Sequence, residues 1–175
     1  MTEEPIWGFT GGANFSYFIK KQFAISLGVN FSQKGYKIAS MPTVDVNGTA
    51  GNAQIRYNYN YLEIPVKANF VLGKKKIRLL TSIGATSAFL LYEKTIRTIE
   101  YPDGTKSTTK DKPNYIYNPF NLFLTGSIGA DFLLGKKMAL RVEPSYSYGL
   151  LETIAVPFSE HLWSAGLNIG CYLYF

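Results

Sequence analysis

The sequence is poor in what soluble enzymes and helical membrane proteins draw on. Its 175 residues include one cysteine, Cys171, and one histidine, His161. A lone cysteine excludes an internal disulfide and a cysteine-held metal cluster, and Cys171 lies on an apolar strand face where inert packing is expected. The histidine directly follows Ser159 and Glu160, and adjacent residues do not readily adopt the geometry of a Ser–His–acid triad. His161 is therefore expected to be a loop-end residue, and the chain is not expected to be an enzyme. No apolar run is long enough for a membrane-spanning helix, and mean hydropathy is near zero. Gly73, Gly135 and their neighbours form no GxxxxGK[ST] phosphate loop. No cofactor or metal is expected. Met1 to Pro5 lacks the charged start and apolar core of a signal peptide, so the chain is expected to begin inside a mature exported protein.

Acidic residues are also scarce, at 12 against 18 Lys and Arg, which gives a net charge of +6. Location decides what that charge means. Lys20, Lys21, Lys74, Lys75, Lys76, Lys136 and Lys137 fall in three short clusters between apolar stretches, as turn residues do. No basic helix face or aromatic RNA-binding signature accompanies them, so nucleic acid is not an expected partner.

Aromatics and glycine are abundant, with thirteen Tyr, twelve Phe and sixteen Gly. That mix favours strands and turns, and the length suits a single domain over 1–175. The last fifteen residues are the clearest case. Trp163, Ala165, Leu167, Ile169, Cys171, Leu173 and Phe175 fall on one parity, and Leu162, Ser164, Gly166, Asn168, Gly170, Tyr172 and Tyr174 on the other. Period-two alternation means a strand. Its length exceeds the ~5–6 residues of an ordinary strand and fits the ~9–11 residues of a tilted membrane strand.

The same pattern recurs along the chain. A first strand over Ile6–Phe18 turns at Lys20–Gln22 into a second, with Phe23, Ile25, Leu27, Val29 and Phe31 outward and Lys34 among the inward residues. A long polar loop is expected from about Gly35 to Ala53. The third strand, Gln54–Leu72, places Leu62, Ile64, Val66, Ala68 and Phe70 outward, and Tyr57, Tyr59, Tyr61, Glu63 and Lys67 inward. The fourth runs from Ile77 to about Tyr92. Residues 93–115 form the longest connection, in which Pro102-Asp103-Gly104 predicts a tight turn and hence a hairpin extending beyond the membrane. The fifth and sixth strands centre on Phe120–Phe132 and Met138–Tyr148, before a loop around Leu150–Glu160.

Two regularities follow. Connections alternate short and long, as in outer-membrane barrels with tight periplasmic turns and longer outer loops. No charged residue falls on the outward faces as assigned, which on the third strand begin at Leu62, so the polar face of every strand must point inward. The fold class is therefore all-β, an antiparallel up-and-down transmembrane β-barrel. Seven strands are visible, however, and the first and last run the same way. An even number is required for antiparallel closure, and an open sheet would leave unpaired backbone groups in lipid. An eight-stranded barrel by ancestry is expected, its first strand lying upstream of Met1 or supplied otherwise.

Tyr61-Leu62-Glu63-Ile64-Pro65, with Phe31-Ser32-Gln33-Lys34-Gly35 before it and Tyr146-Ser147-Tyr148-Gly149-Leu150 after it, resembles the PorT-like outer-membrane β-barrel family of Bacteroidota. The resemblance covers nearly the whole chain. It implies an outer-membrane location, an extra glycine-rich strand ahead of Ile6–Phe18, and a C-terminal strand ending at Phe175 that the barrel-assembly machinery reads.

Candidate site residues fall in two sets. Glu63, Lys67, Arg78, Asp131, Arg141 and Glu143 are inward charges; an eight-stranded interior holds only side chains, so they are expected to pair into a structural plug rather than line an ion path. Trp7, Phe89, Tyr146, Tyr148 and Trp163 mark one membrane interface, and Phe23, Phe70, Phe132, Tyr174 and Phe175 the other, as aromatic girdles. The expected function is that of a small, non-catalytic outer-membrane barrel with a plugged polar lumen. It would act through its outer loops in binding, adhesion or as an accessory in an outer-membrane complex, with membrane lipid as its surroundings. The alternative is a soluble lipocalin-like carrier of a small apolar ligand, which needs the faces reversed.

Overall fold

A computed structural model describes residues 3–44, 48–73, 76–111, 118–135, 138–151 and 161–173. The described residues form nine strands and no helix: β1 (Glu3–Pro5), β2 (Thr10–Lys20), β3 (Phe23–Val44), β4 (Ala50–Leu72), β5 (Ile77–Glu100), β6 (Lys106–Asp111), β7 (Phe120–Leu133), β8 (Met138–Gly149) and β9 (Trp163–Leu173). All belong to one antiparallel sheet in the order β3-β4-β5-β7-β8-β9. β1 and β2 lie end to end along the free edge of β3, and β6 folds back on the upper part of β5. The sheet curls into a half-barrel whose open side lies between β2 and β9.

Burial runs opposite to that of a soluble sheet. Ile83 is 62% exposed and Ile128 72%, while Asp131 and Arg141 are 0% and 4% exposed. An apolar outer face is what lipid requires, because strands bond their polar backbone to each other and leave only side chains to meet hydrocarbon. A soluble carrier needs the reverse.

Strand length departs from expectation in one region. β2, β8 and β9 have 11, 12 and 11 residues, but β3, β4 and β5 have 22, 23 and 24. The stretch Gly35–Ala53, expected as a polar loop, is mostly strand: β3 reaches Val44 and β4 starts at Ala50. Above the lipid neither sheet face needs to be apolar, so the alternation that marks a membrane strand fades there. A bulge between Ile38 and Met41 breaks what is left of the period. The fourth strand likewise continues past Tyr92 to Glu100, with Leu91 bulged out of the ladder. Together β1, β3, β4, β5 and β6 build a five-stranded sheet that projects about 30 Å along the strands beyond the barrel wall. The expected hairpin is present, with Gly104 at φ +81° closing the turn from β5 to β6.

The first strand also differs. Ile6–Phe9 is not strand, and β2 begins at Thr10, although the Gln33 amide still donates to the Phe9 carbonyl at 2.8 Å.

Candidate functional site

The interior is organised in levels, counted up from the tight turns. At the lowest, cross-strand register places Arg78 of β5 beside Asp131 of β7, and Asp131 beside Arg141 of β8. Arg141 grips the carboxylate with two bonds, Nε to Oδ1 at 2.6 Å and Nη2 to Oδ2 at 3.1 Å. Arg78 Nη2 donates to the same Oδ2 at 3.2 Å. The planar guanidinium fork matches a carboxylate, and two cations offset the desolvation of one fully buried anion.

One level up, Lys67 Nζ approaches Glu143 Oε1 at 3.5 Å. Ser82 donates to that oxygen at 3.0 Å, and Ser127 also contacts it. Two glycines make the level possible. A Cβ on Gly84 would sit 2.2 Å from the Val66 carbonyl oxygen and 2.9 Å from Lys67 Cγ, and one on Gly129 would sit 2.9 Å from Glu143 Cα.

Higher still, Lys34 Nζ pairs with Glu63 Oε1 at 2.7 Å and lies 3.7 Å from the centre of the Phe123 ring. An aromatic stack caps it. Tyr61 meets Phe123 edge-on at 6.1 Å, Tyr59 lies beside Tyr61 at 6.4 Å, and Tyr36 packs on Tyr57 at 5.0 Å. With Ala88 and Leu162, the fully buried Tyr59, Tyr61 and Phe123 form an apolar cluster at the upper end of the interior.

The structure thus brings the six expected inward charges into two separate networks and a third pair. Arg78, Asp131 and Arg141 form one, Lys67 and Glu143 the second, and Glu63 pairs with Lys34. Sequence reasoning put Lys34 on the inner face without including it in the charge set; its parity carried the facing, but register sets it opposite Tyr59, four residues from Glu63, so the pairing left no mark in the sequence. Phe123 was missed because one aromatic on a polar face has no periodic signature.

On the outer face, Phe23, Phe70 and Phe132 lie near the tight turns, and Phe89, Tyr146, Tyr148 and Trp163 near the other end; all are at least one-third exposed. Trp7 is 95% exposed but precedes β2. Tyr174 and Phe175 lie outside the described residues, as do Ser159 and Glu160. His161 stacks on Tyr148, and its Nδ1 is 3.0 Å from the Gly149 carbonyl oxygen. Among the described residues, no three of His, Cys, Asp and Glu converge as metal ligands. Along the open side, cavities of about 480 and 410 Å³ run between β2 and β9, reaching Asn14, Asn168, Lys67 and Glu143.

A family model described as an outer membrane protein beta-barrel domain matches residues 3–155. No curated protein and no solved structure matches the chain.

Proposed function

Because this chain belongs to the outer membrane protein beta-barrel domain family, we propose that it is a non-catalytic outer-membrane barrel acting through the sheet it holds above the membrane. The observation that carries this is the division of labour along β3, β4 and β5. Their lower halves carry an apolar outer face and an inner face of paired charges; their upper halves carry neither and extend a polar surface away from the wall. Paired charges and stacked tyrosines support a plugged interior rather than a diffusion path, since an eight-stranded barrel has room for side chains only. The upper sheet, with β6 at its edge, is the binding or adhesion surface, or the contact with a partner in an outer-membrane complex. Tight turns face the periplasm, and the exposed aromatics act as interfacial girdles. The motif Tyr61–Pro65 favours the PorT-like branch of the family.

Closure belongs to the same proposal. β2 and β9 both run toward the tight-turn end, so pairing one with the other, or with the edge of a second copy standing upright in the same membrane, would give a parallel ladder. One strand running the opposite way satisfies both edges with antiparallel bonds, and its amide partners would be those of β2 and β9.

The test is fractionation of the full-length protein from its native cell, with gel migration compared before and after boiling. An outer-membrane band that shifts on heating is expected. A band that is soluble without detergent and does not shift would exclude the reading. Hydrogen exchange on the same sample should then find the edge amides of β2 and β9 protected; rapid exchange there would count against the closing strand.

A further inference from the structure

From the outer face of the projecting sheet we infer a binding site for phosphate-bearing headgroups of outer-leaflet lipid, formed by Lys37, Arg56 and Lys94; this rests on the membrane reading above. Register places the three together. Lys37 of β3 is directly opposite Arg56 of β4, and Lys94 of β5 is opposite Asn58, diagonal to Arg56. Arg56 shares its parity with Leu62, Ile64 and Val66, so the cations continue the lipid-facing side of the wall.

Height supports a lipid occupant. The apolar belt ends near Phe31, Leu62 and Phe89, and exposed Tyr92 sits at its upper margin. A tilted strand climbs roughly 2.5 Å per residue, which puts the backbone of the cations roughly 10–15 Å above the belt. The polar layer is roughly 5–8 Å deep on each side, and the long Lys37, Arg56 and Lys94 side chains are able to reach down to its outer surface.

Charge supports an anionic one. Like charges directly opposite in a sheet repel, and Lys37 faces Arg56 across the β3–β4 pair. Glu4 relieves part of this through a 2.7 Å ion pair with Lys37. Arg56 Nε donates to Asn58 Oδ1 at 3.2 Å, which leaves the rest of its charge uncompensated. Among the described residues, no carboxylate lies within ion-pair distance of Arg56 or Lys94. Higher on the sheet, Lys106 is matched by Glu100 at 3.4 Å, while Lys110 of β6, opposite Ile96 and so level with Arg56, adds to the positive charge of the same row. A phosphate beside this row would bridge the cations and remove their repulsion.

The experiment compares the full-length protein refolded into phosphatidylcholine vesicles with and without added lipid A. The readouts are the heat-dependent gel shift and the affinity for lipid A by flotation. Wild type is expected to retain lipid A at low salt and lose it as salt rises. Arg56→Gln and Lys94→Gln should each weaken retention about fivefold, with the gel shift intact. Lys20→Gln/Lys21→Gln, at a tight turn, should leave retention unchanged. Equal retention by wild type and both upper variants would overturn the inference, as would equal competition by inorganic phosphate, which would assign the site to the free anion. A shifted wild-type band without lipid A retention sinks the inference alone. Absence of the shift in wild type sinks the barrel reading and this site with it.

Discussion

Asp131 concentrates the energetics of the interior at the residue scale. It is fully buried between two arginines, and removing its charge strands both. Asp131→Asn is expected to cost about 3–5 kcal/mol, because breaking a buried ion pair leaves an uncompensated charge. Urea unfolding of the refolded protein in vesicles measures it. Gly84 is a steric counterpart. With the Val66 carbonyl oxygen 2.2 Å from the site of a Cβ, Gly84→Ala should cost about 1–3 kcal/mol through backbone displacement, read in the same assay. Asp103, in the β5–β6 turn, accepts from the Thr105 hydroxyl at 2.6 Å and its amide at 2.9 Å. These bonds hold its carboxyl below the ordinary 3.8. A depressed value means the turn is favoured above the unfolded pKa and loses that contribution as pH falls through the folded one. A carboxyl titration by NMR should find a midpoint under 3.8, rising toward it in Thr105→Val, where the amide bond remains.

The central strands each do two jobs at the element scale. The lower part of β4 needs alternation, since Leu62, Val66 and Phe70 form the apolar outer face while Glu63, Lys67 and Asn69 meet the interior. Its upper part needs only ladder partners, which β3 and β5 supply through Ala53, Ile55 and Tyr57. The β5–β6 hairpin is separable on this view, as it pairs with β5 alone. Joining Thr98 to Thr108, which are cross-strand partners, through an Asn-Gly turn should leave the urea midpoint nearly unchanged, within about 0.5 kcal/mol. The heat shift should survive and capture of a partner by the outer sheet should be lost; a barrel that fails to refold would show that the hairpin supports the wall.

The whole molecule is organised by an inverted distribution of polarity around a curled sheet. Ile83 lies midway up the outer face of β5 and is 62% exposed. Ile83→Arg is expected to destabilise the protein in vesicles by about 2–4 kcal/mol. The same substitution at Thr98, above the belt, should have little effect. Equal sensitivity at both positions would mean that lipid does not surround the wall.

The sequence alone determined the strands of the curled wall, their facing, the short connections between them and the β5–β6 hairpin. Period two is imposed wherever lipid lies on one side and polar groups on the other, and residues such as Leu62 and Glu63 write that boundary directly. It also put Lys34 on the inner face. What only the tertiary structure decided was partnership: that Asp131 takes both arginines, that Glu63 takes Lys34 rather than Lys67, and that Gly84 and Gly129 clear space for Lys67 and Glu143. Those outcomes depend on strand stagger, which alternation within one strand does not encode. The extent of β3 and β4 beyond the membrane was hidden for a related reason. Beyond the stack of Tyr36, Tyr57 and Tyr59, residues 38–44 and 50–56 are held in strand form mainly by backbone bonds to their neighbours, and backbone bonding leaves little mark on side-chain order.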